Sequence, residues 1–181
     1  MIKLLIVALC FFVPKTVSIE TIYGLSINGI EGSVRSLSAY EGKKILIITL
    51  PTQQNAANNT LLKSLDSLQS AYSSSIAIIA TPCYEDGFTL ARKNELQQWY
   101  RSKLGQQIFI TDGLYSRKTS GTQQHPLFRW LTDHNRNSHF DNDVTGPGSK
   151  FIVWADGELT GVLEPTTRLG GSVMHSLLQA Q

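Results

Sequence analysis

The central part of the chain alternates between continuous apolar runs and helically spaced apolar positions. Residues 44–50 and 75–81 are short runs rich in isoleucine, which is typical of strands buried on both faces. Residues 58–72, between the two runs, place apolar side chains on one helical stripe, namely Leu61, Leu65, Leu68 and Tyr72. A strand, a helix and a strand in this order predict a right-handed parallel crossover unit.

The second half of the chain adds helices and an antiparallel hairpin. In chain order, the pattern predicts a helix over about 89–103, a strand over 107–111, a helix over 125–131, strands over 150–154 and 158–163, and a helix over 171–179. Asp156-Gly157 lies between the last two strands and predicts a tight hairpin turn. Parallel strands followed by an antiparallel hairpin predict one α/β domain, a sandwich with a central mixed sheet and helices on both faces.

The amino terminus has the pattern of a secretory signal peptide. Lys3 precedes an apolar run over residues 4–13, which ends at Pro14-Lys15 and is too short for a bilayer-spanning helix of about 20 residues. We therefore expect a signal peptide over residues 1–18, a mature domain over residues 19–181, and a periplasmic or secreted location. A buried N-terminal strand is the alternative interpretation of the same run.

Composition and charge exclude several classes of protein. The chain has 181 residues, of which 41% are hydrophobic and 17% charged, so disorder is not expected. Two cysteines are too few for a zinc ribbon or a disulfide scaffold, and they do not form a CxxC motif. Removal of residues 1–18 would leave 14 cationic and 14 anionic side chains and no basic stripe. We therefore expect no nucleic-acid partner and no membrane span.

Four groups of residues occur in an order and spacing that point to one family. They are residues 22–25 with 36–43 near the start, Thr81-Pro82-Cys83 after the second strand, residues 125–132 with the sequence HPLFRWLT, and Pro165-Thr166-Thr167. Together they resemble the glutathione peroxidase family over nearly the whole mature length. The resemblance implies a thioredoxin-like fold and an oxidoreductase that reduces hydroperoxides under oxidative stress, with glutathione or thioredoxin as its thiol partner.

The same resemblance implies a cysteine or selenocysteine just after the first central strand, at the start of the following helix. There the helix dipole favours the thiolate that attacks the peroxide. Here residues 53–55, which we call the nucleophile segment, are Gln53, Gln54 and Asn55. Their carboxamides donate and accept hydrogen bonds but do not reduce peroxides. We therefore expect no peroxidatic group at this position.

The supporting positions of the family's active site also differ. Its glutamine falls on Glu85, whose charge would repel a thiolate, and its tryptophan and asparagine fall on Gly146 and Pro147. The resolving cysteine of thioredoxin-dependent members would fall near Arg101. These differences predict a non-catalytic descendant, without a cofactor, that binds a small polar ligand or a protein partner. We expect the nucleophile segment to lie beside Glu85 and to form a polar pocket there.

Cys83 supports an alternative, an active thiol-dependent peroxidase. It follows the second strand, at the edge where sites form in open α/β sheets, and it is the one cysteine after residue 18. The competing interpretation is an inert thiol in the core. Free cysteine is usually buried, and the neighbouring Glu85 and Asp86 would raise the pKa of this thiol.

A third interpretation is a metal-binding loop over residues 133–143. Its candidate ligands are Asp133, His134, His139 and Asp141. A calcium loop of the EF-hand type needs glycine at its sixth position and glutamate at its twelfth, where this chain has Ser138 and Val144. Two histidines five residues apart, without a second pair, are a weak transition-metal signature. We therefore expect a polar surface loop and no metal cofactor.

Overall fold

The computed structural model describes residues 21–180 of the chain. The expected signal peptide over residues 1–18 lies outside the described residues, as do both ends of the expected mature domain. Among the helices of residues 21–180, none has the length and apolar character needed to cross a membrane.

A five-stranded mixed sheet forms the centre of the fold. A short antiparallel hairpin of β1 (Ser26–Asn28) and β2 (Val34–Ser36) precedes it. The sheet contains β3 (Lys44–Leu50), β4 (Ile76–Pro82), β5 (Phe109–Ile110), β6 (Lys150–Val153) and β7 (Leu159–Leu163), in the spatial order β5-β4-β3-β6-β7. β4 is parallel to both β3 and β5, whereas β6 is antiparallel to both β3 and β7. The predicted parallel crossover and the predicted late hairpin are both present.

The strands are connected by helices and short 3-10 turns. The α-helices are α1 (Ala56–Ala71), α2 (Lys93–Arg101), α3 (Pro126–Thr132), α4 (His134–Asn137) and α5 (Ser172–Gln179). The 3-10 turns cover Ile22–Gly24, Leu37–Tyr40, Tyr84–Asp86, Leu90–Arg92 and Lys118–Gln123. α1 links the two central parallel strands, and α5 follows the final hairpin.

Apolar side chains pack on both faces of the sheet. In β3, Leu46 and Ile48 face one side, where they join a core that includes residues of α1, α2 and α5. Ile45 and Ile47 belong to the core on the other side, which includes Phe128 of α3. The alternation follows from the two-residue period of a strand. Both faces are covered, which confirms the α/β sandwich with a central mixed sheet.

Several element boundaries differ from the sequence-based expectation. α1 begins at Ala56, two residues earlier than predicted, because Asn55 caps it. Its most deeply buried residues are Leu62, Leu65, Leu68 and Gln69, whereas Leu61 and Tyr72 are only half-buried. α2 covers nine residues because its predicted first turn is a 3-10 turn. β5, at the sheet edge, pairs through two residues only.

Candidate functional site

The nucleophile segment lies at the carboxyl end of β3, where the buried strand gives way to an exposed helix start. Residues 53–55 are exposed, in contrast to Pro51 and Thr52 before them. Asn55 Oδ1 accepts a hydrogen bond from the Asn58 backbone N–H at 2.9 Å, and the Asn58 side chain donates to the Gln53 carbonyl at 2.8 Å. Asn55 is thus an N-cap of α1, and residues 51–55 contain no sulfur atom.

The carboxylate beside the nucleophile segment belongs to α2. Gln54 Nε2 donates to Glu95 Oε1 at 3.4 Å, and Arg92 pairs with the same carboxylate at 3.1 Å. Arg92 also donates to the Thr52 carbonyl at 2.9 Å. The Glu85 carboxylate, expected beside this segment, forms its hydrogen bonds with the backbone N–H groups of Ser116 and Arg117 instead.

A polar groove of about 320 Å³ runs from Gln54 along the cleft between α1 and α2. The residues that line it are Gln54, Asn59, Glu95, Gln98, Trp99, Ser102 and Lys103. Trp99 is largely buried and donates through its indole N–H to Asn59 Oδ1 at 2.8 Å. The groove thus offers amides, a hydroxyl and charges of both signs to a polar molecule.

Tyr100 connects α2 to the start of the nucleophile segment. Its buried hydroxyl donates to the Pro51 carbonyl at 2.9 Å, which fixes the chain at the point where β3 ends. Burial raises the pKa of Tyr100 above its usual value, and the neighbouring Cys83 raises it further. Cys83 directly follows Pro82, which pairs with Leu50 at the end of β3.

Cys83 is the free cysteine of the described residues, and its side chain has no solvent-exposed surface. The thiol donates to the Thr81 carbonyl at 3.6 Å. Burial raises the pKa of Cys83 well above its ordinary value, and the Asp86 and Glu85 carboxylates raise it further. Hydrogen bonding with Ser116 and the charge of Arg117 lower the pKa of this thiol without offsetting burial. The environment therefore favours the neutral thiol over the reactive thiolate.

Glu85 holds a loop in place through its carboxylate. Oε1 accepts hydrogen bonds from the backbone N–H groups of Ser116 at 2.8 Å and Arg117 at 2.9 Å, and from the Ser120 hydroxyl at 2.7 Å. Burial alone would raise the pKa of Glu85, but these hydrogen bonds hold it below its usual value. This role was not predicted, because the partners lie 31 to 35 residues away in the sequence.

Asp86 forms a largely buried ion pair next to Glu85. Its Oδ1 lies 2.5 Å from Arg117 Nη2, and its side chain is 6% exposed. Burial raises the pKa of Asp86, although the Arg117 charge lowers it. The Thr52 hydroxyl donates to the Asp86 carbonyl, so this turn also contacts the end of β3.

Gly146 and Pro147 lie in the turn that leads into β6, against the end of β3. The Thr49 hydroxyl donates to the Gly146 carbonyl at 2.8 Å, and the Gly148 N–H donates to the Thr49 carbonyl at 2.8 Å. Gly148 has a φ of +92°, a conformation that favours glycine. Neither Gly146 nor Pro147 has a polar side chain, so they supply no side-chain hydrogen bond to a reacting group.

Lys150 is a fully buried cation that the sequence pattern did not single out. Its Nζ donates to the carbonyls of Gly148 at 2.6 Å, Glu164 at 3.2 Å and Pro165 at 3.3 Å. Burial lowers the pKa of Lys150 to about 8, although the Glu164 carboxylate raises it. The ammonium thus joins the turn before β6 to the segment that contains Pro165-Thr166-Thr167.

Arg101, expected near the resolving position, is the last residue of α2. Its Nε lies 2.6 Å from Glu31 Oε1, and it also donates to the carbonyls of Gly105 and Ile108. The guanidinium therefore binds the loop after α2 to the first hairpin. This arrangement is structural and brings no thiol to the site.

The residues of the candidate metal loop have local partners. Asp133 caps α4 by accepting from the Asn135 N–H at 3.0 Å, and Asp141 pairs with Lys118 at 2.8 Å. His139 Nε2 lies 3.8 Å from a Glu158 carboxylate oxygen. Within residues 21–180, no group of three or more His, Cys, Asp or Glu side chains could hold a metal ion.

Comparison with known proteins gives relatives of one kind, although no protein-family model matches the chain. The glutathione peroxidase homolog BsaA of Bacillus subtilis (strain 168) is 26% identical over 154 residues, which cover 81% of this chain and 90% of that protein. Glutathione peroxidase 1 of Caenorhabditis elegans is 23% identical over 155 residues, covering 82% of this chain and 89% of that protein.

Solved structures with the same fold span almost the whole chain. The apo form of Trgpx has a TM-score of 0.65 at 18% identity and covers 90% of this chain and 98% of its own. GPX1 of T. cruzi has a TM-score of 0.61 at 15% identity, with 88% and 97% covered. A thioredoxin family thiol:disulfide interchange protein from Chlorobium tepidum TLS has a TM-score of 0.53 at 13% identity, with 81% of this chain and 86% of that chain covered. These likenesses confirm the thioredoxin-like fold.

Proposed function

Because the chain belongs to the glutathione peroxidase family and has its thioredoxin-like fold, we propose that it is an exported member that no longer reduces hydroperoxides. In this proposal the scaffold serves as a binding domain for a small polar ligand or a protein partner. The N-terminal pattern of Lys3 followed by the apolar run over residues 4–13 supports export to the periplasm or outside the cell.

One observation carries the proposal: the position for the peroxidatic group holds carboxamides, and the nearest described thiol is buried. The carboxamides of Gln53, Gln54 and Asn55 are not nucleophiles toward a peroxide oxygen, and they form no oxidised state that a thiol could reduce back. Cys83 has no exposed surface and a raised pKa, so neither access nor ionisation favours its reaction.

The supporting positions argue in the same direction. A peroxidatic thiolate needs neutral or cationic donors around it. Glu85 places a carboxylate near Cys83 and already accepts three hydrogen bonds from the loop over residues 116–120. The Gly146-Pro147 turn offers no polar side chain. A chain that keeps the scaffold and lacks these groups retains surfaces for binding.

The groove beside Gln54 is where we place the small polar ligand. Its volume of about 320 Å³ lies within the range of about 300–1,000 Å³ found for small-molecule sites. Gln54, Glu95 and Lys103 provide an acceptor, an anion and a cation along it. Glutathione or thioredoxin would be a partner only if the chain were catalytic.

An active peroxidase that uses Cys83 is the second candidate. Its support is the name of the relatives, together with the hydrogen bond between Ser116 and the thiol, which lowers the pKa of Cys83. This candidate requires the thiol to become exposed during turnover, because Cys83 is fully buried in the structure.

Trapping of sulfenic acid tests the proposal. The purified chain is treated with hydrogen peroxide or an organic hydroperoxide in the presence of a dimedone-type probe, and labelled peptides are mapped by mass spectrometry. We expect no probe on the Cys83 peptide of the folded protein, and labelling once urea unfolds it. The Cys10 peptide is scored separately, and Cys83→Ser is the blank. Peroxide-dependent labelling of Cys83 in the folded protein would favour the second candidate.

A further inference from the structure

A groove lies between α1 and the chain segment that leads into α5. It consists of two adjacent cavities of about 390 and 420 Å³, which share Thr60, Ser64, Leu169 and Gly170 as lining residues. We call this the α1–α5 groove. Each cavity lies within the size range of small-molecule sites. The groove does not include the nucleophile segment or Cys83.

The floor of the α1–α5 groove is apolar. Leu68 of α1 is 5% exposed and Leu169 is 3% exposed, and both line the groove as part of the core on this face of the sheet. Leu61 and Ala71 extend the apolar lining toward its two ends. No Phe, Tyr or Trp side chain is among the lining residues that form the two cavities, so the His175 imidazole is the one ring there against which a base or a sugar could stack. A flexible aliphatic chain suits this floor.

The rim of the groove is cationic. Its two cations are the lining residues Lys63 and Arg168, which lie with His175 along the groove, and no Asp or Glu lines either cavity. Within residues 21–180, the Lys63 and Arg168 side chains make no hydrogen bond or ion pair, so no carboxylate in this part of the chain neutralises their charges. His175 Nδ1 lies 2.5 Å from the Tyr72 hydroxyl, so Nε2 is the ring nitrogen that could contact a ligand. The nearby Glu164 carboxylate is held by the Thr145 hydroxyl at 2.8 Å.

From this pairing of an aliphatic floor with a cationic rim, we propose that the α1–α5 groove binds a free fatty acid. The hydrocarbon chain would lie against Leu68 and Leu169, and the carboxylate would pair with Lys63 or Arg168. Charge complementarity disfavours the chain's own apolar segment over residues 4–13, because Lys3 and Lys15 flank it. The inference is independent of the proposed loss of peroxidase activity.

Displacement of a fluorescent fatty acid tests the groove. A dansyl-labelled undecanoate is bound to the purified chain and titrated with dodecanoate, with dodecanol as the uncharged analogue and butyrate as the short one. We expect dodecanoate to displace the probe at micromolar concentrations, and dodecanol and butyrate to bind at least about tenfold more weakly.

Matched variants locate the site. Lys63→Glu and Arg168→Glu should each weaken dodecanoate binding at least about tenfold. Lys43→Glu makes the same charge change at another exposed lysine and should bind as the unmodified chain does. Ser64→Phe fills the groove without altering charge and should abolish displacement. Circular dichroism checks that each variant is folded.

Two results would overturn the inference. One is the absence of displacement by dodecanoate up to its solubility limit. This result would overturn the inference even if the apolar segment over residues 4–13 were its cause. The other is equal weakening by Lys43→Glu and Lys63→Glu, which would show that binding depends on net charge alone. Neither result bears on peroxide reduction, which is measured without a fatty acid.

Discussion

The Glu85 carboxylate accepts a hydrogen bond from the backbone N–H of Arg117 at 2.9 Å. The resemblance to the glutathione peroxidase family implies an active-site glutamine at this position. Here the position holds a charged side chain, which organises the loop over residues 116–120. A hydrogen bond to an ionised acceptor is stronger than one between neutral groups. Glu85 therefore contributes to stability at a position where catalysis would require a neutral donor.

Replacement of Glu85 by alanine should destabilise the fold by about 2–3 kcal/mol at pH 7, because two backbone N–H groups and a hydroxyl lose their acceptor. The pKa of Glu85 is held below its usual value, so its stabilising effect is present above pH 4.5 and is lost as the pH falls through the folded-state pKa. Urea unfolding of the unmodified and Glu85→Ala proteins between pH 7 and pH 3 measures this.

The exposed Glu41 gives the control for this experiment. Glu41→Ala should change the unfolding free energy by less than about 0.5 kcal/mol at every pH. A Glu85→Ala protein as stable as Glu41→Ala at pH 7 would show that the loop does not depend on this carboxylate.

Lys150 should make the protein more stable as the pH rises from 7.5 to 9.5. Burial lowers its pKa from an ordinary value of 10.5 to about 8, so in this interval the unfolded chain binds more protons than the folded one. The sign of this linkage gives an increase in unfolding free energy of about 2 kcal/mol over the two pH units. Urea titrations at each pH measure the increase, in a Cys83→Ser background, because the raised pKa of the Cys83 thiol contributes a change of opposite sign in the same pH interval.

Lys150→Met should remove that increase, whereas Lys43→Met, at an exposed lysine, should keep it. The comparison stays below pH 10, because tyrosines with raised pKa values, such as Tyr100, reverse the trend above that pH. The same pH slope in Lys150→Met and the unmodified protein would contradict the assignment.

The N-cap of α1 gives a third prediction. Asn55→Ala should cost about 1 kcal/mol, because the Asn58 N–H loses its side-chain acceptor. Gln53→Ala removes a carboxamide from the same exposed segment, two residues earlier, and should change stability by less than about 0.5 kcal/mol. Thermal or urea unfolding distinguishes the two, and equal effects would show that Asn55 is not a cap.

Cys83 should be protected from thiol reagents in the folded protein. Its fully buried side chain and raised pKa should slow maleimide labelling at least about 100-fold relative to the urea-unfolded chain. Mass spectrometry of the Cys83 peptide follows the reaction separately from Cys10. Rapid labelling without denaturant would mean that the thiol opens to solvent readily and would strengthen the second candidate function.

The sequence was informative where burial imposes a regular pattern. β3 lies within a sheet covered on both faces, so its apolar run is continuous and its bounds match the prediction over residues 44–50. β5 pairs through two residues at an edge, where less of the strand is constrained, and the predicted strand was too long. The start of α1 depends on one capping side chain, Asn55, which the apolar stripe does not mark.

The candidate site was located by sequence and its contacts were not. The end of β3 locates the nucleophile segment from the sequence alone, because two parallel strands need a crossover connection, which is usually a helix. Glu85 binds residues more than 30 positions away, and Lys150 occurs in a strand pattern that treats lysine as exposed. Long-range partners of charged side chains have no local signal in the sequence, so the loop and the buried ammonium could only be found in the structure.

Hydroperoxide turnover by the purified chain shows whether the protein is a peroxidase or a domain that has lost this activity. Consumption of hydrogen peroxide and of an organic hydroperoxide is followed with glutathione and glutathione reductase, and separately with thioredoxin and thioredoxin reductase. We expect no peroxide-dependent oxidation of NADPH above the level of Cys83→Ser with either reductant. Saturable turnover that Cys83→Ser abolishes would contradict this expectation.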